Sequence, residues 1–312
     1  MTLPPFQPRY TGLASFMRMP LWQPGEAADI AMVGVPFDGG VTNRPGARHG
    51  PREVRNHSSL IRRFSQATGH NPFEAARVVD GGDVPIERPY NLLDAHGDIE
   101  AAFHRWREAG LRTLAVGGDH SVSLPILRAV ARDRGPLGLV HIDAHCDTGD
   151  DYAGSRFHHG SPFRRAAEEG LIDPKRTVQI GIRGSLTVPD QWQFSYDSGM
   201  RVMPIEEVYR LGLDATLAEA RQVVGDRPCY VTFDIDSVDP AYAPGTGTPE
   251  VGGLTALEAL LLVRGLSGLD VVSADVVEVA PAYDPTNNTA FLAANVMFEL
   301  LCVMTGQPLP GS

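Results

Sequence analysis

Three potential metal ligands, Asp143, His145 and Asp147, recur at every second position after the apolar run 137–142. This run has the length and composition of a buried strand. In extended backbone, alternate side chains project to the same side of the strand. We therefore expect the three side chains to converge, as the ligands of a divalent cation do.

Two further segments place the same types of side chain at the ends of apolar runs. The run 228–233 leads into Asp234 and Asp236, and the run 111–116 leads through two glycines to His120. Two carboxylates at positions i and i+2 at the end of a buried strand repel each other unless cations lie between them. The three segments together predict one metal site that contains two histidines and four aspartates.

The number of carboxylates favours two cations over one. Four carboxylates match two divalent cations in charge, and a mixture of histidine and aspartate suits manganese, nickel, cobalt or zinc better than calcium. The cysteines show no paired spacing, so we predict no structural zinc. Two such ions would polarise a bridging water into hydroxide at neutral pH. The four carboxylates are those of Asp143, Asp147, Asp234 and Asp236.

Three segments of the sequence resemble the signatures of the ureohydrolase family, which includes arginase and agmatinase. They read GGDHS at 117–121, HIDAHCDT at 141–148 and TFDIDSVDPAYAPGTGTPEVGGLT at 232–255. The resemblance extends from about residue 16 to about residue 301 and is stronger to the agmatinase, guanidinobutyrase and guanidinopropionase branch than to arginase. It implies the arginase-like fold, a three-layer αβα sandwich with an eight-stranded parallel sheet.

The resemblance also implies a reaction and a cofactor. The expected enzyme is a dinuclear-metal amidinohydrolase that cleaves a guanidino C–N bond to urea and an amine, with two Mn²⁺ ions as the first choice and Ni²⁺ as the alternative. Asp143 and Asp236 match positions that the family shares between both ions or uses twice. The implied metal ligands are His120, Asp143, His145, Asp147, Asp234 and Asp236.

Three residues match catalytic positions of the family. Asp147 is expected to accept the proton of the hydroxide, and His159 to carry a proton to the leaving amine, a task for which an imidazole is suited near neutral pH. Glu278, just past the predicted strand 270–276, matches the glutamate that binds the guanidinium group. A planar fork of N–H donors pairs strongly with the two oxygens of a carboxylate.

The residues that contact the far end of the substrate are less well determined. Asp150 and Asp151 would favour a cationic tail such as that of agmatine, whereas Arg44 or Arg156 would favour the carboxylate of 4-guanidinobutyrate or 3-guanidinopropionate. Arginine is disfavoured, because the stretch after Asp147 lacks the Asn- and Ser-containing arrangement of arginases. Besides Glu278 and His159, the candidate substrate contacts are Asn43, Arg44, Arg48, His49, Arg156 and Phe157.

Other functions are compatible with parts of this pattern. The chain could hydrolyse guanidine or a biguanide with nickel, or could be a scaffold subunit of a hetero-oligomeric ureohydrolase. A scaffold subunit is expected to have lost metal ligands, and all six are present. A third possibility is a dinuclear hydrolase of esters or amides, but Glu278 would bind a neutral or anionic substrate poorly.

Composition excludes several classes of protein. The net charge of −11 leaves no basic surface for nucleic acid, and no apolar span of about 18 residues suggests a transmembrane helix. The three cysteines are isolated, as expected of reduced core residues in a cytoplasmic protein. The family resemblance further implies a homotrimer or homohexamer, alone or with a homologous chain, acting on a small guanidino substrate.

The remaining sequence alternates apolar strands with amphipathic helices. This order predicts a parallel sheet covered on both faces, one domain over residues 1–312, a surface-wrapping arm at 1–27, and ligands at the carboxyl ends of the strands. We expect His141 to be a hydrogen-bonded core residue and Ser121 to cap a helix. Strands are predicted at 29–35, 77–80, 111–116, 137–142, 177–182, 229–233 and 270–276. Helices are predicted at 51–64, 99–109, 161–170, 214–224, 255–266 and 289–304 and just after Ser121.

Overall fold

The strands of the computed structural model, which describes residues 8–309, form one parallel sheet of eight strands. They are β1 Ile30–Gly34, β2 Val78–Asp83, β3 Arg112–Val116, β4 Leu137–Ile142, β5 Ile172–Ile182, β6 Arg201–Pro204, β7 Cys229–Asp234 and β8 Val271–Val277. Their order across the sheet is β2-β1-β3-β8-β7-β4-β5-β6. Every neighbouring pair is parallel, as predicted.

Helices cover both faces of this sheet. They are α1 Gly50–Ser58, α2 Pro72–Ala75, α3 Leu92–Glu108, α4 Ser123–Ala131, α5 Pro162–Glu168, α6 Gln193–Ser198, α7 Ile205–Leu211, α8 Leu213–Val224, α9 Ala256–Arg264 and α10 Asn288–Met304. The alternation of side chains along β1 separates the two cores. Ile30 and Met32 pack in the cluster that includes α1, α8, α9 and α10, whereas Ala31 and Val33 pack in the cluster that includes α3, α4 and α5. The result is the predicted three-layer αβα sandwich.

Burial on both faces explains why the strands are almost continuously apolar. All residues of β1, β4 and β7 are buried. In an antiparallel sheet with one solvated face, polar residues would alternate with these positions. Most of the charged side chains of the site therefore lie at or beyond the ends of the strands.

Several elements differ from the sequence prediction. The helix predicted through residue 64 ends at Ser58, where the Ser58 hydroxyl accepts the backbone N–H of Met17 and the chain turns to bury Ile61. Ser121 does not cap α4. Asp119 instead accepts the Ser121 N–H at the start of a short 3₁₀ turn that precedes α4, so the predicted cap was wrong by two residues. Strand β6 and helices α2, α6 and α7 were not predicted.

The predicted arm at 1–27 is described from residue 8 onwards, and residues 1–7 lie outside the described part of the chain. Residues 8–27 are mostly exposed, but Phe16 and Met17 are buried. The Phe16 N–H donates to the buried carboxylate of Asp80, and Leu21 forms a parallel bridge with the same residue. Since all the described strands share one sheet, we propose that residues 1–312 form a single domain.

Two further expectations concern the environment of the protein. Between residues 8 and 309, none of the helices has both the length and the apolar character needed to cross a membrane. The three cysteines, Cys146, Cys229 and Cys302, are free and buried, as the isolated spacing predicted.

Candidate metal centre and active site

Four neighbouring strands deliver the central residues of the site. In the order β3-β8-β7-β4, the strands lead to His120, Glu278, Asp234 and Asp143 in turn. Glu278 and Asp143 directly follow their strands and Asp234 ends β7, whereas His120 follows β3 after the turn 117–119. Because these strands are parallel and adjacent, their carboxyl ends meet at one edge of the sheet. The predicted position of the site at the carboxyl ends of the strands agrees with this arrangement.

The turn after β3 brings its backbone close to the glycine-rich loop that follows β1. A Cβ atom on Gly118 would lie 1.5 Å from the carbonyl oxygen of Phe37, so only glycine fits at this position. The Asp119 N–H donates to the same carbonyl. Across the sheet, the Glu278 N–H donates to the Gly118 carbonyl and the His120 N–H donates to Glu278 Oε1. The end of β3 and the end of β8 are therefore locked together.

His120 lies at the centre of a first cluster of carboxylates. Its Nδ1 atom is 3.1 Å from Asp143, 3.0 Å from Asp147 and 3.1 Å from Asp234. Its Nε2 atom is 2.8 Å from the hydroxyl of Thr232. In the tautomer whose Nε2–H donates to that hydroxyl, Nδ1 presents a lone pair to the three carboxylates. Nδ1 has no hydrogen-bond partner among the described residues. A buried lone pair surrounded by carboxylates fits a divalent cation.

A second cluster contains Asp143, His145 and Asp236, whose ligand atoms all lie within 4.8 Å of one another. His145 Nδ1 is 3.2 Å from Asp236 and 3.5 Å from Asp143. Asp143 thus belongs to both clusters, whereas Asp236 belongs to the second alone. The two clusters bring all six predicted ligands together and can hold two ions that share Asp143.

The ligands of the segment 143–147 converge for a reason that differs from the prediction. The chain bends after β4 and is not extended. The His145 N–H donates to Asp143 Oδ1 at 2.6 Å, and Asp147 adopts a left-handed backbone conformation with φ +50°. The alternation expected of a strand was wrong here, because this turn directs Asp143 and Asp147 to the first cluster and His145 to the second.

Two of the clustered carboxylates resist ionisation because they are buried. Burial raises the pKa of Asp234 well above its usual value, and the charges of Asp236 and Asp143 raise it further. Burial also raises the pKa of Asp236. Buried carboxylates that resist ionisation become stable anions when divalent cations bind between them. The donor set and its burial therefore both fit a metal centre.

Beside the clusters lies a pair formed by His159 and Glu278. Glu278 is buried and has φ +64°, a conformation that is unusual for a residue other than glycine. Its Oε2 atom has no hydrogen-bond partner among the described residues. Burial lowers the pKa of His159, but the charge and hydrogen bond of Glu278 outweigh it and raise this pKa to about 9. The pair offers a carboxylate oxygen and a proton in the same pocket.

Thr42 completes this pair and was missed by the sequence analysis, which selected the adjacent Asn43. The Thr42 N–H and hydroxyl lie 3.2 Å and 2.8 Å from His159 Nε2. Thr42 belongs to the glycine-rich loop, which the sequence did single out, but no residue pattern links it to a histidine 117 positions away. Only the folded chain brings the two together.

The family model of the arginase family matches residues 28–303 of this sequence.

This chain belongs to the arginase family.

The sequence is 55% identical over 298 residues to a guanidinopropionase from Pseudomonas aeruginosa, a match that covers 95% of this chain and 93% of that protein. It is 49% identical to a mitochondrial agmatinase from Gallus gallus, with 96% of this chain and 88% of that protein covered. The structure is similar to that of a proclavaminate amidino hydrolase from Streptomyces clavuligerus, with a TM-score of 0.92, 42% identity and coverage of 97% and 100% of the two chains. The predicted family, fold and hydrolase class are confirmed.

Most of the candidate contacts for the substrate tail are engaged elsewhere in this arginase-family chain. Arg44 donates to the carbonyls of Thr246 and Gly247 and stacks on Tyr283. Arg156 is exposed and pairs with Asp150 and Glu168. Arg156 is therefore already paired with carboxylates, whereas Arg44 has no carboxylate partner among the described residues.

The other candidate contacts for the substrate tail lie in different surroundings. Asn43 is exposed and directly follows Thr42, whose N–H and hydroxyl contact His159. Phe157 packs against the core of the α3 and α4 face. Arg48 pairs with the buried Asp38, and His49 is exposed.

Three further polar residues of this region make structural contacts. Asp119 accepts the N–H groups of Gly40 and Ser121, and Asp239 accepts those of Gly252 and Gly253, so both hold turns of the family fold. His141 is fully buried and hydrogen-bonded at both ring nitrogens, as expected of a core histidine. One of these bonds, however, is made to the carboxylate of Asp143, which lies in both clusters.

Proposed function

We propose that this chain is a dinuclear-metal amidinohydrolase that releases urea from a small linear guanidino compound. The observation that carries the proposal is the unpartnered, buried Oε2 of Glu278, whose other oxygen accepts the His120 N–H beside the two clusters that share Asp143. A free carboxylate oxygen in a buried site calls for a cationic hydrogen-bond donor. A guanidinium group supplies both the charge and the donors.

The first ion would be held by His120, Asp143, Asp147 and Asp234, and the second by Asp143, His145 and Asp236. Nitrogen and carboxylate donors in this mixture suit Mn²⁺ or Ni²⁺, and we propose Mn²⁺ as the first choice. When bound, two such ions supply Lewis-acid chemistry and lower the pKa of a water molecule to near neutrality. This chemistry suits the hydrolysis of an otherwise inert guanidinium.

The chain's own residues bind the substrate and move protons. Glu278 Oε1 is already bonded to His120 N–H and to His159, so Oε2 accepts the guanidinium N–H groups and balances their charge. Asp147 accepts a proton from the attacking water. His159 holds a proton for the leaving nitrogen at Nε2, because its Nδ1–H is committed to Glu278. Water adds to the guanidinium carbon, the C–N bond to the alkyl chain breaks, and urea and an alkylammonium are released.

We propose a guanidino acid, first 3-guanidinopropionate and then 4-guanidinobutyrate, in preference to agmatine. Asp150, one of the two candidates for binding a cationic tail, is already paired with Arg156, Arg164 and Arg165. The high identity to a guanidinopropionase supports the same choice. The complete set of six ligands argues against a scaffold subunit, and Glu278 argues against ester or amide substrates.

Urea release tests the proposal directly. Metal-free protein is reloaded with Mn²⁺ or with Ni²⁺ and assayed with 3-guanidinopropionate, 4-guanidinobutyrate, agmatine, arginine and guanidine. We expect the highest kcat/KM with Mn²⁺ and 3-guanidinopropionate. A preference for agmatine would overturn the choice of a guanidino acid, and urea from guanidine with Ni²⁺ would support the nickel alternative. The absence of urea with every pair would refute the amidinohydrolase itself.

We further propose a homotrimer or homohexamer, on the basis of the family resemblance. Sedimentation-equilibrium mass of the purified chain tests it. A mass of three or six chains is expected, and a monomer that gains activity only with a homologous chain would instead support the hetero-oligomer.

A further inference from the structure

Gln179 is a fully buried polar residue on β5 that the sequence analysis did not select. It is the register partner of His141 on β4. Its side-chain nitrogen lies 2.6 Å from the carbonyl oxygen of Cys146 and 3.0 Å from His141 Nδ1. Gln179 thus contacts two residues that are close to metal ligands in the sequence. Cys146 directly precedes Asp147, and His141 lies two residues before Asp143.

These contacts fix the direction of each hydrogen bond. A carbonyl oxygen only accepts, so the NH₂ group of Gln179 must face Cys146. Its second N–H then points to His141 Nδ1, which must accept. The ring proton of the neutral His141 therefore sits on Nε2, which lies 2.6 Å from Asp143 Oδ2 and donates to it. Gln179 selects the tautomer in which His141 is a donor to Asp143.

Asp143 consequently receives one N–H on each carboxylate oxygen. His141 donates to Oδ2, and the backbone of His145 donates to Oδ1. Two fixed donors set the plane of the carboxylate and leave its remaining lone pairs directed into the two clusters. The bond from Gln179 to the Cys146 carbonyl also holds the chain where Asp147 adopts its left-handed conformation.

We propose that Gln179 and His141 are positioning residues of the metal centre, which orient Asp143 and the turn that carries Asp147. The proposal rests on the proposed function, because it presupposes that the clusters bind ions. A purely structural position in this core would be filled more stably by an apolar side chain. The Oε1 atom of Gln179 is buried without a hydrogen-bond partner among the described residues, which costs stability. A polar residue retained at such a cost fits a requirement of the metal centre.

The first test removes both N–H donors with Gln179→Met, which keeps the length of the side chain. Mn²⁺ affinity of the metal-free protein is measured by equilibrium dialysis, and its Tm is measured without metal. We expect Mn²⁺ affinity to fall about 10- to 100-fold, the usual loss when a hydrogen bond to a metal ligand is removed. The metal-free Tm should fall by only a few degrees, because the loss of the unpartnered oxygen offsets part of the cost of the two lost hydrogen bonds. Gln193→Met, an exposed substitution of the same kind, serves as the control.

A second pair of variants tests the donor itself and does not depend on Gln179. His141→Gln places an amide N–H near the position of Nε2 and should retain Mn²⁺ affinity within about threefold, whereas His141→Leu should lose about 10- to 100-fold. The visible absorption spectrum of the Co²⁺-loaded proteins reports ligand geometry. This spectrum should differ from that of the wild type in His141→Leu and in Gln179→Met, but not in His141→Gln. If Gln179→Met does not fold, this pair decides the question.

The outcomes separate the two proposals. Wild-type protein that binds no Mn²⁺ would overturn both the proposed function and this inference. Wild-type protein that binds Mn²⁺ and releases urea, together with Gln179→Met and His141→Leu variants that bind it equally well, would overturn only the positioning role. Equal losses in His141→Gln and His141→Leu would also overturn it, because the N–H donor would then be irrelevant.

Discussion

The Nδ1 atom of His159 lies 2.9 Å from Oε1 of Glu278, and both side chains are almost completely excluded from solvent. The two residues are 119 positions apart in the sequence. Charge-assisted hydrogen bonds of this kind are about twice as strong as neutral ones. The pair therefore couples the group that binds the guanidinium to the group that protonates the leaving nitrogen.

Replacing Glu278 with glutamine should abolish most of the activity but leave the metal centre loaded. The variant keeps a hydrogen-bond acceptor and loses the charge that balances the guanidinium. We expect kcat/KM to fall by about 10²- to 10³-fold or more, by analogy with the loss of one preorganised electrostatic contact in other enzymes. Urea assays and metal analysis measure both effects. Glu74→Gln, an exposed substitution, should change neither, and a tenfold or smaller loss in Glu278→Gln would contradict the assigned role.

The pKa of His159 should depend on Glu278. In metal-free protein, titration of the imidazole by ¹⁵N NMR should give a pKa of about 9. In Glu278→Gln this pKa should fall, because burial then acts on the cation without the compensating carboxylate. His159 works as a proton donor, so its contribution to kcat is full at neutral pH and is lost as pH rises through its pKa. An unchanged titration curve in the variant would show that the pair is not coupled.

Thr42 should affect the pKa of His159. In the neutral ring, Nε2 accepts from the Thr42 N–H and hydroxyl, whereas in the protonated ring the hydroxyl must turn to accept from Nε2–H. Thr42→Val removes that acceptor while conserving shape. We expect the pKa of His159 to fall and kcat to drop several-fold, with metal content unchanged. Thr42→Ser retains the hydroxyl and should behave like the wild type, and equal behaviour of the valine and serine variants would argue against this contact.

Removing a single carboxylate from the first cluster should reduce the amount of metal bound to the protein. Asp143→Asn and Asp234→Asn each eliminate a buried charge that faces His120. We expect urea release to be abolished and bound metal to fall below two ions per chain, while circular dichroism shows an intact fold. Since burial raises the pKa of Asp234, the metal-free Asp234→Asn protein should be at least as heat-stable as the metal-free wild type. Near-normal activity in either variant would refute the metal assignment, and the exposed Asp226→Asn is the control.

Asp150 should not select the substrate. Its carboxylate is held by Arg156, Arg164 and Arg165 on the outside of the pocket. In Asp150→Asn, the ratio of kcat/KM for agmatine to that for 3-guanidinopropionate should stay within about twofold of the wild-type ratio, as is usual for changes at exposed ion pairs. A loss of kcat/KM for agmatine alone would show that Asp150 binds a cationic tail, and would reverse our choice of substrate class.

The sequence alone determined the types of ligand and their place at the ends of strands. Parallel strands run in one direction, so polar residues that end buried runs must gather at one edge of the sheet. His120, Asp143, Asp234 and Glu278 could therefore be assigned to one site before the order of the strands was known. The alternation of buried strands and amphipathic helices likewise predicted layers of helices on both faces.

The tertiary structure decided how these residues face one another. It placed β3, β8, β7 and β4 side by side, put Asp143 in both clusters, and replaced the expected extended segment by a turn at Asp147. Contacts such as Thr42 with His159 and Gln179 with His141 join residues far apart in the chain. Local spacing constrains only neighbours along the backbone, whereas these hydrogen bonds depend on strand order, register and loop path, which are fixed by packing of the whole sheet.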